Sequence, residues 1–204
     1  MNRIDSLYAD ATDPATFARG YLDYLSEVIA RLDENSIAAF IEVLLEARER
    51  GARIFFIGNG GSAATASHFA NDIAIGTRAR EKPFRAVSLT DNVAVMTAIA
   101  NDDGYDQVFV QQLQTNLVSG DVVVAISASG NSPNVVKAVD YANERDCLTV
   151  ALTGFDGGAL AKKATLNVHI PTNKGEYGPA EDGHMILDHL VGAYLARRVR
   201  SAGA

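Results

Sequence analysis

From residue 53 onward, short apolar runs alternate with segments of helical periodicity, and this alternation constrains the fold more than any other feature. The apolar runs are Ile54–Ile57, Ala86–Leu89, Val122–Ile126, Leu148–Leu152 and Leu166–Ile170. They are mostly continuous rather than alternating, which is typical of strands covered on both faces. Strands that alternate with helices form a parallel sheet with helices on both sides. We therefore predict an α/β three-layer sandwich around a five-stranded parallel sheet.

Helical periodicity is also present before the first predicted strand. Asp13 and Pro14 are typical of an N-cap followed by the first helical position, and a second helix is predicted from Ser36 to about Gly51. The later helices are predicted at Ala63–Ile75, Asn92–Ile99, Val108–Leu117, Pro133–Asn143 and Leu160–Lys163, with a last one from about Ala180 to Arg198. No linker divides the chain, so we predict one domain over residues 1–204 with a two-helix extension at about 13–50.

Two of the predicted strands end in loops rich in glycine and serine that open helices. The first runs from Gly58 to Ser62 and the second from Ser127 to Ser132. Small residues let backbone N–H groups approach an anion, and the following helix adds the positive end of its dipole. No lysine follows the glycines as in a Walker loop, and the spacing is not that of a dinucleotide fingerprint. The pair predicts a phosphate site, although two plain strand-to-helix turns are the alternative.

Overall charge and apolar content exclude some ligand classes. The net charge of −7 argues against nucleic acid as the main ligand, since the phosphate backbone requires a basic surface. No apolar run approaches the roughly 20 residues that span a bilayer. The first residues carry acids and lack the apolar core of a signal peptide. We therefore expect a cytoplasmic protein that has no membrane partner and binds a small anion.

Two side chains of reactive type are predicted to be packed within the protein. Cys147, the only cysteine, begins an apolar strand, so we expect a buried thiol rather than a nucleophile. His169 lies within another apolar strand and is expected to be a packed histidine rather than a ligand.

A set of histidines and carboxylates offers metal-binding or acid/base chemistry. His68 and Asp72 are four residues apart on one predicted helix, and Glu181 and His189 are eight apart on the last one. Two imidazoles with two carboxylates can bind a divalent metal such as zinc, or can supply a general base and a general acid. His184 is a competing candidate, and surface or capping roles are the alternative for each residue.

Several motifs resemble the sugar isomerase (SIS) domain and, more narrowly, the phosphoheptose isomerases. They are Gly58–Ala64, His68–Ala70, Ala98–Asp102, Ile126–Asn134 and Leu152–Gly158. The similarity covers nearly the whole chain, including the two leading helices. The resemblance implies a five-stranded parallel sheet, and a homotetramer whose active sites are shared between subunits. It also implies isomerisation of sedoheptulose 7-phosphate to D-glycero-D-manno-heptose 7-phosphate.

The resemblance also implies roles for individual residues. One zinc ion per subunit is expected on His68, Asp72, Glu181 and His189, with Asp72 as catalytic base and His189 as catalytic acid. The substrate-binding positions that we predict are Asn59, Gly60, Gly61, Ser62, Asn101, Asp102, Ser127, Ala128, Ser129, Ser132 and Glu181. From composition alone, Asn101 and Asp102 are equally explained by helix termination and turn formation.

The chain departs from the pattern of the family at several positions. Asp72 stands where the family has glutamate, Glu181 stands where it has glutamine, and Ala128 replaces a threonine. The segment Lys174–Pro179 is also longer than in the best-known members. Two other functions remain open from the sequence. One is a non-catalytic adaptor that associates with a replication initiator, and the other is an isomerase of another sugar phosphate.

Overall fold

The structure is a computed structural model that describes residues 2–202 and is built on one five-stranded sheet. The strands are β1 (Arg53–Gly58), β2 (Arg85–Ser88), β3 (Val122–Ser127), β4 (Leu148–Thr153) and β5 (Leu166–His169). Their order across the sheet is β2-β1-β3-β4-β5, and every neighbouring pair is parallel. The five predicted strands and their parallel arrangement are therefore confirmed.

Helices precede the sheet and cover both of its faces. They are α1 (Arg3–Asp10), α2 (Pro14–Ile29), α3 (Glu34–Arg50), α4 (Gly61–Asn71), α5 (Val93–Asp102), α6 (Val110–Asn116), α7 (Pro133–Asn143), α8 (Leu160–Lys163) and α9 (Tyr177–Ala202). A π-helical turn, Asp72–Gly76, continues α4, and a 3-10 turn, Tyr105–Gln107, precedes α6. Within residues 2–202, no helix combines the length and the apolar character needed to cross a bilayer.

The two predicted leading helices are present as α2 and α3, and a third helix, α1, precedes them. The additional helix, α1, has none of its residues fully buried, but its short apolar stripe packs Ile4 and Leu7 against the core. A distant contact also holds it, in which the backbone N–H of Arg3 donates to Glu176 Oε1 at 2.6 Å. The buried Glu176 also accepts from the Tyr24 hydroxyl at 2.5 Å, so one carboxylate joins α1, α2 and the loop before α9.

The core lies in two layers, one on each face of the sheet. Adjacent residues of β1 contribute to different layers, because successive side chains of a strand point to opposite faces. Phe56 stacks on Phe69 of α4 with ring centroids 5.0 Å apart, on the face covered by α3, α4 and α9. Phe55 packs with Phe109 on the face covered by α6 and α7. This arrangement confirms the three-layer sandwich.

The strand order places a crevice at the carboxyl ends of β1 and β3. The chain moves from β1 outward to β2, and from β3 outward in the opposite direction to β4. Ligands of open parallel sheets bind where the strand order reverses in this way. The two glycine- and serine-rich loops both begin at this point, so the fold brings them together.

Cys147 and His169 have the packed environments that the sequence predicts. Cys147 is buried, its Sγ lies 3.1 Å from the carbonyl oxygen of Val118, and burial raises the pKa of its thiol. His169 Nδ1 lies 3.0 Å from Thr153 Oγ1, and burial lowers the pKa of its imidazole. Neither side chain belongs to the site described below.

Candidate active site

The serine loop, which we define as residues 127–132, joins β3 to α7 and is shaped by a glycine. The N–H of Gly130 donates to the backbone oxygen of Ser127 at 3.1 Å and lies 3.2 Å from its hydroxyl. Gly130 has φ 63°, and a Cβ there would lie 2.1 Å from the carbonyl oxygen of Gly157. The loop therefore depends on close backbone contact with the turn that follows β4.

The glycine loop, residues 58–62, joins β1 to α4 and lies beside the serine loop. Asn59 connects the glycine loop to the start of α7, because its amide and that of Asn134 each donate to the other's oxygen, at 2.9 and 2.8 Å. The Tyr105 hydroxyl donates to the same Asn59 oxygen at 3.0 Å. A cleft of about 150 Å³ lies between the loops; it is lined by Asn59, Ser62, Ile126, Ser127, Ala128, Ser129, Ser132, Tyr177 and Glu181.

Most of the predicted substrate-binding residues line this cleft or adjoin it. Gly60 and Gly61 belong to the turn beside the lining residues Asn59 and Ser62. Asn101 and Asp102 do not line the cleft. They are exposed at the end of α5, where the Asn101 amide donates to Asp102 Oδ1 at 2.7 Å. Within one described chain, the structure therefore brings together the loop residues and Glu181, but not the pair on α5.

Tyr177 is a lining residue that the sequence analysis did not single out. It begins α9 and lies edge-on to Phe155, with ring centroids 5.0 Å apart. Its position within the longer Lys174–Pro179 segment was the available signal, although that segment has no periodicity to indicate which side chain faces a ligand. Tyr177 therefore places an aromatic ring at the cleft.

Glu181 lies over the start of α4. A Cβ added to Gly61 would meet Glu181 Oε2 at 2.2 Å, so the carboxylate in this position lies directly against the glycine and would have to move for any larger residue. The positive end of the helix dipole favours a negative group there. Burial, reinforced by neighbouring Asp182, nevertheless raises the pKa of the Glu181 carboxyl. Glu181 is therefore a carboxylate of the cleft, with a proton affinity above the ordinary value.

A second group of functional side chains lies further along α4 and α9. His68, Asp72, Asp188 and His189 each offer a ligand atom, and these atoms all lie within 4.8 Å of one another. His68 Nε2 is 3.6 Å from Asp72 Oδ2, and the two imidazole rings are 5.2 Å apart between centroids. Three of the four predicted metal ligands thus meet. Among residues 2–202, the fourth member is Asp188 rather than Glu181.

Asp188 is the member of this group that the sequence did not indicate, and it directly precedes the predicted ligand His189. Its side chain is fully buried, and neither carboxylate oxygen has a hydrogen-bond partner among the described residues. Burial, reinforced by the charge of Asp72, raises the pKa of Asp188 to about 7. The sequence signal for a functional role was an acidic residue on the apolar side of the last helix, since a lone carboxylate is costly to bury.

His184, the competing candidate, lies outside this cluster. It is fully buried, and its Nε2 donates to the carbonyl oxygen of Thr153 at 3.3 Å. Burial lowers the pKa of His184 to about 4 from an ordinary value of 6.5. The residue therefore holds α9 against the end of β4 as a neutral imidazole.

The burial of His184 predicts acid-sensitive stability. The unfolded chain takes up a proton below pH 6.5 while the folded chain does not, so this residue opposes folding increasingly as pH falls towards 4. Between pH 7.5 and pH 5, this residue should lower the free energy of unfolding, measured with urea, by about 2 kcal/mol. His184→Gln should remove that part of the pH dependence. Subtracting the free energies of unfolding of the variant from those of the parent at each pH cancels the contributions of other groups, including Asp188. An unchanged slope in the variant would contradict the assignment.

The comparisons with known proteins agree with these features. The SIS domain model matches residues 16–154. A phosphoheptose isomerase from Geobacter metallireducens is 41% identical over 165 residues, covering 81% of this chain and 86% of that protein. The structure of a phosphoheptose isomerase from Neisseria gonorrhoeae matches with a TM-score of 0.78 and 32% identity, over 87% of this chain and 95% of the other.

A further solved structure supports the fold alone. The phosphoheptose isomerase of Francisella tularensis matches with a TM-score of 0.84 at 24% identity, over 91% of this chain and all of the other. One family accounts for the matched domain, the extent of coverage and the two loops at the crevice. The chain belongs to the SIS-domain family of phosphoheptose isomerases.

Proposed function

We propose that the protein is an aldose–ketose isomerase that converts sedoheptulose 7-phosphate to D-glycero-D-manno-heptose 7-phosphate. The observation that carries the proposal is the juxtaposition of two sites along α4 and α9. One is a cleft suited to a phosphate, and the other is a cluster of imidazoles and carboxylates suited to proton transfer. The relatives at 41% and 32% identity described above are both phosphoheptose isomerases.

The phosphate is proposed to bind at the serine loop. Ser127, Ser129 and Ser132 line the cleft, and α7 begins directly after Ser132 at this end of the sheet. Ala128 contributes no hydroxyl, so at that position only the backbone can bind the anion. Phosphate binding here holds the substrate in place, which lowers the entropic cost of bringing its carbonyl end to the reacting groups.

A divalent metal, with zinc as the first candidate, fits the cluster. His68 and His189 supply imidazole nitrogens, Asp72 supplies a carboxylate, and an unpartnered oxygen of Asp188 lies within 4.8 Å of these ligand atoms. This donor set is typical of zinc. The metal would polarise the carbonyl oxygen of the sugar and so favour loss of the proton on the adjacent carbon.

Proton transfer is proposed to run through Asp72 and His189. Asp72 takes a proton from C1 of the ketose, the carbonyl oxygen at C2 gains a proton, and an enediol forms. His189 then delivers a proton to C2, while the hydroxyl at C1 loses its proton to complete the aldehyde. Asp72 lies where α4 changes to the π-helical turn, a kind of irregularity that is frequent at functional sites.

We further propose a homotetramer whose sites are shared between subunits. Most residues of α5 are apolar, yet none of them is fully buried within the described chain; Val93 is 70% exposed. Leu190 and Tyr194 of α9 are also exposed. Burying these surfaces against other copies is favourable, and exposed apolar patches are typical of such interfaces. Asn101 and Asp102, at the end of α5, would then reach the substrate of a neighbouring subunit.

The cytoplasm is the proposed compartment, because a sugar phosphate is charged and does not cross a bilayer unaided. The net charge of −7 fits a small-molecule enzyme with no nucleic-acid partner. The serine and glycine loops bind the substrate through local amides and hydroxyls, so no overall positive charge is needed.

A direct assay tests the proposal. Purified full-length protein, stripped of metal with a chelator, is incubated with sedoheptulose 7-phosphate, with and without added zinc, and the aldose product is followed. We expect turnover that depends on the added metal. Fructose 6-phosphate serves as the competing substrate. Preferential turnover of the hexose phosphate would replace the heptose assignment, and turnover of neither would contradict isomerase activity.

A further inference from the structure

The side chain of Asp188 is the least satisfied buried group in the described part of the chain. Its carboxylate is fully buried, and both oxygens are without a hydrogen-bond partner there. The other buried carboxylates have partners: Asp121 accepts two backbone N–H groups, and Glu176 accepts four hydrogen bonds. An unpartnered buried carboxylate calls for a cation or a proton to compensate it.

The surroundings of Asp188 indicate what that cation is. Asp188 Oδ2 lies 3.8 Å from His68 Nε2, a distance too long for a hydrogen bond but suited to two ligands that share an ion. Asp72 and His189 complete the group within 4.8 Å. Two imidazoles and two carboxylates would balance the two positive charges of a zinc-like ion. Without an ion, the carboxylates of Asp72 and Asp188 repel each other.

The position of Glu181 separates it from this group. The helices α4 and α9 pack together, and Glu181 meets Gly61 at one level while Asp188 meets His68 at another. On both helices these levels are seven residues apart, so they lie about 10.5 Å apart along the helix axes. Within one chain, Glu181 therefore lies two turns away from the imidazoles, over the start of α4.

We propose that Asp188 takes the fourth place in the metal site, with His68, Asp72 and His189, and that Glu181 serves the sugar cleft instead. The proposal deepens the proposed function, on which it rests for the role of the metal. It also accounts for two departures from the family pattern together. The shorter carboxylate of Asp72 is accompanied by a second carboxylate in the same group, and the position of the expected glutamine ligand is left free for substrate.

Metal binding without any sugar tests this assignment. The metal-stripped full-length protein and two variants, Asp188→Asn and Glu181→Gln, are titrated with Zn²⁺ against a chromophoric chelator. Co²⁺ substitution reports the ligand set through its visible spectrum. We expect Asp188→Asn to lower zinc affinity at least tenfold and to change the cobalt spectrum. We expect Glu181→Gln to leave both unchanged.

Thermal unfolding supplies a second readout that a purely structural role would not produce. In the absence of metal, Asp188→Asn should raise the midpoint of unfolding, because a neutral amide replaces a buried carboxyl group that no hydrogen bond stabilises. Added zinc should then stabilise the variant less than the parent protein. A structural carboxylate would instead give a variant that is less stable with or without zinc.

Two results would overturn the proposal. Unchanged zinc affinity in Asp188→Asn would remove Asp188 from the ligand set. Loss of affinity in Glu181→Gln would return Glu181 to it, from the same chain or from a neighbouring copy. Both measurements omit the sugar, so they are independent of isomerase activity. A protein that binds zinc through Asp188 but converts no sugar phosphate would refute the proposed function alone.

Discussion

Asp72→Asn and His189→Ala are each expected to lower the turnover of sedoheptulose 7-phosphate by roughly 100- to 10,000-fold, the contribution typical of a positioned acid or base. Both side chains lie in the cluster on α4 and α9, and neither lines the phosphate cleft. Binding of the sugar phosphate should therefore persist. Turnover is measured at saturating zinc, and binding is measured by calorimetry on the same preparations.

A matched control separates catalysis from a general loss of charge. Asp10 ends α1, is exposed, and is absent from both the cleft and the cluster, so Asp10→Asn should retain full turnover. The metal content of each variant is measured as well, because both residues also belong to the proposed ligand set. Normal turnover by either variant would refute its acid or base role. Loss of sugar-phosphate binding in both would indicate a disturbed cleft instead.

Gly130→Ala is expected to destabilise the protein by about 2–5 kcal/mol and to abolish phosphate binding. Two effects combine at this position. The backbone has φ 63°, which residues other than glycine rarely adopt, and the new methyl group would lie 2.1 Å from the Gly157 carbonyl oxygen. Since that neighbour is backbone, the serine loop or the turn after β4 must move. Urea unfolding and phosphate titration measure the two consequences.

Gly51→Ala is the matched control for this substitution. Gly51 has φ 68° and ends α3, but a Cβ there would meet no atom within 4 Å. Gly51→Ala should therefore lower the free energy of unfolding only by the conformational cost of the positive φ, about 1 kcal/mol, and should leave phosphate binding intact. The difference between the two variants isolates the close contact of the loops. If both variants lose equal stability and both bind phosphate, close packing of the serine loop is not what shapes the site.

Local patterns in the sequence were sufficient for the sheet and for the two loops. Continuous apolar runs predict strands covered on both faces, and glycine with serine at the end of such a strand predicts a turn into a helix. The predicted limits differ from the observed ones mainly at helix ends. The last helix, for example, begins at Tyr177 rather than near Ala180. End residues carry weak signals, because only part of a terminal turn is hydrogen-bonded.

Features that depend on distant contacts were not predictable. The short helix α1 is joined through Arg3 to Glu176, a residue 173 positions away, and the periodicity of its side chains does not indicate such a contact. The place of Tyr177 at the cleft likewise depends on how α9 meets the serine loop. Tertiary packing decides both, and a linear pattern does not encode it.

The sequence by itself determined the fold class, the two loops rich in glycine and serine, and the presence of His68, Asp72 and His189 on two predicted helices, because these follow from residue type and short-range spacing. Only the tertiary structure decided which carboxylate joins them. Glu181 and Asp188 lie seven residues apart on one helix, and helical spacing alone leaves both on roughly the same side. The level at which α9 packs against α4 places Glu181 over Gly61 and Asp188 beside His68, and that level is a property of the packed helices.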